Sequence, residues 1–144
     1  MSASRVLRVG LVLAAALVSA CASPVAPSST AASFAGRWTY EAGTADGVNA
    51  VAGTLTLSVE GGALTGTFVA DEVAPGGTPR RLTGLVGGVG RSATELEFDV
   101  LLASGRTRRH LASRAGGMLR GTWMETDWAA VTAVGSFVAR QGGA

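Results

Sequence analysis

Few side chains in this sequence have the types and spacing that chemistry needs. There is one cysteine, Cys21, and one histidine, His110. A zinc site requires three or four converging N, S or O ligands, and only scattered carboxylates are on hand to join these two. A Ser–His–acid triad would have to be built on His110, and no tight nucleophile turn accompanies it. Asp71-Glu72 sits in 71–79, which reads as the longest loop, so the pair is expected to be solvated rather than catalytic. Gly87-Gly88-Val89-Gly90 links two strands and opens no helix, which excludes a phosphate-binding loop. The remaining concentration of charge is the run Arg106, Arg108, Arg109 and Arg114. These residues imply a protein that is not an enzyme and uses no cofactor and no metal.

Cys21 is different, because its surroundings give it a task. Arg5 and Arg8 precede an apolar stretch, Val9 to Val18, and small residues lead from there into the cysteine. Crossing a bilayer as a helix takes roughly 20 apolar residues, so this shorter stretch reads as a secretory signal. The string Val18-Ser19-Ala20-Cys21 resembles the lipobox of bacterial lipoproteins, in which cleavage leaves a lipidated cysteine at the new N-terminus. An unpaired thiol is a liability in an oxidising compartment, and a thioether-linked lipid removes it. The resemblance implies residues 1–20 as signal peptide and a membrane contact through the lipid on Cys21. With Ala22 rather than an acidic residue after the cysteine, it also implies an outer-membrane lipoprotein facing the periplasm.

Removing the signal changes the charge. Twelve basic residues, all arginine, become ten without Arg5 and Arg8, and they face ten carboxylates. The mature chain is formally neutral, which argues against a nucleic-acid partner. Residues 21–33 carry Pro24, Pro27, four serines and no charge. Such a segment buries too little apolar surface to order itself and reads as a disordered tether. Residues 34–141 remain as one domain.

That domain alternates apolar with polar or small residues and shows no helical period. Leu55, Leu57 and Val59 share one face, Thr54, Thr56 and Ser58 the other, and Leu64, Gly66 and Phe68 repeat the alternation after Gly61-Gly62. A two-residue turn there sets Leu55 opposite Phe68, Thr56 opposite Thr67 and Ser58 opposite Thr65. In a second hairpin, Glu95, Glu97 and Asp99 lie on the polar face. A turn at Ser104-Gly105 would set Glu95 opposite Arg114 and Asp99 opposite His110, leaving the histidine outside. A two-residue turn at Gly116-Gly117 would pair Arg108 with Glu125 and Arg106 with Asp127. Further strands are expected at about 34–42, 80–88, 118–126 and 131–140, and every proline falls outside a strand. The fold class is therefore all-β. Eight sequential antiparallel strands bring the last beside the first, so the expectation is a closed up-and-down β-barrel.

Gly36-Arg37-Trp38 at the head of this meander resembles the calycin group of lipocalin and avidin-like barrels. The resemblance implies that Arg140, on the last strand, packs over Trp38 and closes the barrel. Gly62 to Phe68 and Leu119 to Trp123 resemble avidin-like segments most. The biotin site does not carry over: Tyr40 stands for the early asparagine, Phe68 for the tyrosine and Phe98 for a tryptophan. The late aspartate has no counterpart near Gly135-Ser136-Phe137.

The expected interior is Leu55, Leu57, Leu64, Phe68, Leu82, Leu96, Phe98, Val100, Leu102 and Leu111. Trp38, Phe68, Phe98 and Trp123 would line a ligand cavity if the barrel were hollow, and Trp123 faces in or out according to the length of the turn at 115–117. An eight-stranded barrel is wide enough to be filled or to hold one small molecule. Two functions follow from these alternatives. The first is an envelope-anchored structural or protein-interaction module, an inhibitor among its forms, with loop 71–79 as the expected partner contact. The second is a lipocalin-like carrier of a small apolar ligand.

Overall fold

The computed structural model describes residues 29–142. Cys21, the signal segment and the tether up to residue 28 lie outside the described residues. From residue 36 the chain forms β1 (Gly36–Thr44), β2 (Ala50–Glu60), β3 (Ala63–Val73), β4 (Arg80–Gly90), β5 (Glu95–Leu102), β6 (Thr107–Ala115), β7 (Met118–Asp127) and β8 (Ala130–Gln141). Each strand pairs antiparallel with its neighbour in sequence, and β1 pairs with β8, closing an eight-stranded up-and-down barrel. Closure leaves no unpaired edge.

The first hairpin has the expected register, with Leu55 opposite Phe68, Thr56 opposite Thr67 and Ser58 opposite Thr65. The second does not. Its turn is Ala103-Ser104-Gly105, closed by Gly105 N–H donating to the Leu102 carbonyl and Leu102 N–H donating to that of Arg106. Gly105 holds a left-handed φ of 87°, the position a three-residue hairpin loop reserves for glycine. The extra turn residue moves the pairing by one, so Glu95 meets Ser113, Asp99 meets Arg109 and Phe98 meets His110. A slip of one residue reverses every side chain of the strand. His110, expected outside beside Asp99, is wholly buried, while Leu111, expected inside, is 53% exposed.

Two further boundaries move. Asp71 and Glu72 belong to β3 rather than to a loop, opposite Arg81 and Arg80, and the loop is only 74–79. At the other end, Ser29–Ala32 forms one helical turn, α1, inside the segment expected to be disordered. Ala31 is buried in the core against the backbone of Gly90, so an apolar plug for the barrel end was hidden in a low-complexity stretch.

The antiparallel order gives the barrel two distinct ends. The near end carries α1, the short turns at 61–62, 91–94 and 116–117, and the end of β8. The far end carries the connections 45–49, 74–79, 103–106 and 128–129. Phe34, wholly buried, seals the near end over Trp38, whose indole Nε1–H donates to the Phe34 carbonyl (3.0 Å).

Candidate binding site

The four residues singled out as possible cavity lining, Trp38, Phe68, Phe98 and Trp123, are all buried. They do not line an open chamber, because the middle of the barrel is occupied by a cluster of rings. Tyr40 meets Phe68 edge-on (5.1 Å between centroids) and stacks on Phe137 (5.4 Å). His110 stacks on Phe98 at 4.3 Å and 4° and meets Phe137 edge-on at 5.1 Å. Offset and edge-to-face contacts of this kind add about 0.5–1.5 kcal/mol each beyond the burial itself. The Gly116-Gly117 turn has two residues, with Ala115 opposite Met118, which points Trp123 inward beside His110.

The buried histidine has a defined tautomer. Its Nδ1 lies 3.1 Å from the Arg108 carbonyl, an acceptor only, so Nδ1 carries the proton. Nε2 then accepts from the Tyr40 hydroxyl at 3.0 Å. Burial, with the Arg108 charge second, lowers the His110 pKa to about 3, and burial raises that of Tyr40. Both groups are neutral through the physiological range. The unfolded histidine takes up a proton below its ordinary value near 6.5 and the folded one does not. Stability is therefore complete above that value and falls as pH drops through the window from about 6.5 to 3, by up to about 1.4 kcal/mol per pH unit. We expect the His110 ring resonances to show no titration between neutral pH and pH 4.5, while the urea midpoint falls over the same range. A histidine that titrates near 6.5 would contradict the buried placement.

Arg140 does not close the barrel. Trp38 pairs with Gln141 and Thr39 with Arg140, so strand parity turns Arg140 outward, where it bonds Glu41 (3.1 Å). The guanidinium over Trp38 is that of Arg114, 5.8 Å from the ring, which also donates to the Ser33 carbonyl. β6 thus supplies both the near-end cap and the central histidine.

Towards the far end, the interior turns from rings to charges. Arg108 is 1% exposed and donates from Nε and Nη2 to Glu125 Oε2 at 3.1 and 2.7 Å. Glu125 also accepts from Arg106 (2.5 Å) and from the Thr132 hydroxyl (3.3 Å). Glu72 lies 3.5 Å from Arg108 Nη2 and is bonded by Arg80 at the rim. The Arg108 guanidinium rests on the face of Trp123, 4.2 Å from its centroid. Its Nη1 is buried without a hydrogen-bond partner among the described residues. The pairing of Arg108 with Glu125 was legible in the sequence; its position inside the wall was not. Arg106 reaches Glu125 rather than Asp127.

An apolar concavity of about 570 Å³ lies on the outer wall of β6 to β8, between Leu111, Met124 and Val134, with the Trp123 ring behind Gly135. Leu111, Met124 and Val134 are all exposed, and Trp128, in the β7–β8 turn, is fully exposed at a φ of 55°. Among the described residues, no three His, Cys, Asp or Glu side chains gather as metal ligands.

These features define a closed eight-stranded antiparallel up-and-down barrel. No protein-family model matches the sequence, and no curated protein matches it. Solved structures do. A de novo designed fluorescence-activating β-barrel superposes with a TM-score of 0.63 at 17% identity, over 78% of this chain and 97% of that one. EF1p2_mFAP2b bound to DFHBI gives 0.62 at 14% identity, over 81% of this chain and 100% of that one. A redesigned barrel, mFAP1, also bound to DFHBI, gives 0.60 at 13% identity, over 78% and 98%. At such identities the likeness is one of fold.

Proposed function

We propose that this protein is a non-enzymatic interaction module, held at the bacterial envelope by a lipid on Cys21, that recognises a protein partner with the outside of its barrel. The observation that carries this reading is the filled interior: the rings a carrier would spend on cargo are spent on one another. The exposed apolar residues Leu111, Met124 and Val134 supply a contact face instead. Contiguous apolar surface on an outer wall marks an interaction site more often than chance exposure does. The tether enters at the near end, beside α1, so the far-end connections point away from the membrane. Two of the structural neighbours hold a small dye, and that likeness favours the carrier as the competing reading.

The two readings separate in one preparation. Residues 22–144, purified without lipid, are expected to show the bare chain mass by native mass spectrometry and no tryptophan fluorescence change across a panel of lipids and hydrophobic dyes. A co-purified small molecule would establish the carrier instead. In cells, a photo-crosslinker at Leu111 or Met124 is expected to trap an envelope protein, and one at Glu60, at the near-end tip of β2, is not. Cys21→Ala should abolish labelling with palmitate; a variant that still fractionates with the outer membrane would remove the anchor from the proposal.

A further inference from the structure

We infer that the outer wall of β6 to β8 receives a second copy of this chain, in an isologous pair with its two-fold axis at Met124. This names the partner of the contact face proposed above and rests on that reading. The residue that asks for a partner is Trp128. It is fully exposed and holds a φ of 55°, a left-handed conformation that suits glycine rather than a tryptophan. Backbone strain and a wholly wetted indole in one residue mark a contact rather than a turn preference. With the exposed Asp127 beside it, the indole fits a cation. The same strand carries one. Arg120 is exposed, donates only to the Met118 sulfur (3.0 Å) and pairs with no carboxylate among the described residues.

The wall is self-complementary about Met124. Arg120 lies four residues before it and Trp128 four residues after it. In a two-fold pair residue i meets j and j meets i, so antiparallel β7 strands set each Arg120 on the other copy's Trp128, a cation–π contact made twice. On the axis itself the surface is apolar, with Met124 beside Val134. Two residues towards the near end, Thr122 and Ser136 leave the concavity of about 570 Å³; two residues towards the far end, Thr126 is paired with the exposed Val131. Symmetry lowers the Val131 of each copy into the concavity of the other. Arg109, which shares the row of the axis, is drawn away to β5 by both oxygens of Asp99, at 2.9 and 3.0 Å. Barrel strands tilt by about 35–45° from the barrel axis. Aligned β7 strands therefore cross the two barrels as a V with both near ends on one side, and both tethers reach one membrane.

A residue on a two-fold axis meets its own copy, which makes the test specific. Met124→Cys in the full chain, treated in its membrane with a short bismaleimide, is expected to give a linked species of twice the chain mass. Leu85→Cys, exposed on the β4 wall, and the unaltered chain are expected to give none. Trp128→Gly relieves the backbone strain, so the thermal midpoint of the dilute monomer should rise. Sedimentation of the same detergent-extracted variant should show self-association about tenfold weaker. Arg120→Glu should weaken it by a similar factor and leave the monomer's midpoint unchanged. If Met124→Cys links only to a different protein, the second copy is wrong and the contact face stands; if it links to nothing, both are wrong. Linkage through Leu85→Cys as strong as through Met124→Cys, or self-association unchanged in Trp128→Gly or Arg120→Glu, would also overturn the pair.

Discussion

Glu125→Ala is expected to destabilise the protein by about 3–5 kcal/mol, the range seen when one partner of a buried ion pair is removed. Glu125 is 2% exposed and is the acceptor for Arg108, Arg106 and Thr132 at once. Without it, Arg108 keeps its charge in the interior with only the distant Glu72 oxygen to balance it. The cost therefore comes from the stranded arginine rather than from the lost attraction. This distinction is measurable. The double variant Arg108→Met with Glu125→Leu fills the same space without charge and should recover most of the lost stability, because desolvating an ion pair consumes much of what the pair returns. Urea unfolding of the two single variants and the double variant gives the coupling directly. If Glu125→Ala costs less than about 1 kcal/mol, the cluster is solvated and its buried description is wrong.

Gly135→Ala is expected to be comparably severe, at about 3 kcal/mol or more, through overpacking rather than charge. An added Cβ at Gly135 would sit 1.9 Å from the Gly43 carbonyl oxygen and 2.7 Å from the Trp123 ring. The oxygen belongs to the β1 strand that closes the barrel against β8, so neither side can yield without loosening the seam. Gly87→Ala, on β4, is the control: nothing lies within 4 Å of its added Cβ, and the change should fall within about 0.5 kcal/mol. Thermal or urea midpoints of the two variants check the contrast, and similar midpoints would remove the seam contact from the account.

The closed barrel was legible because alternation, turn glycines and an even strand count point the same way. The first hairpin was legible to the residue, since Leu55, Phe68 and the threonines agree on one register. The second hairpin was not. Along β6 and the residue before it, Arg106, Arg108 and Arg114 share one parity and Arg109 the other, so the polar pattern does not choose between registers. Ala103-Ser104-Gly105 accommodates a two- or three-residue turn equally well, and the longer one forms. Everything that depends on it then moves: His110 and Arg108 enter the interior and Leu111 leaves it. Buried charge is what hydrophobic patterning reads as surface, so the cluster around Arg108 was visible as pairs but placed on the wrong side. The cap on Trp38 went to Arg114 rather than Arg140 for the same reason, strand parity. Ala31 was obscured by its serine- and alanine-rich neighbours, and Phe34, read as the start of the first strand, instead precedes it as a plug.

The pairing of β1 with β8 carries a topological corollary. β1 starts and β8 finishes at the near end, where Trp38 lies opposite Gln141, so a short linker would join the head of β1 to the tail of β8. The wall then becomes a ring in which no strand is first. Cutting that ring within 74–79 would give a circular permutant with all eight ladders kept and both new termini at the far rim. The strand order of this barrel is thus a matter of where the backbone is nicked, while its shape belongs to the ring.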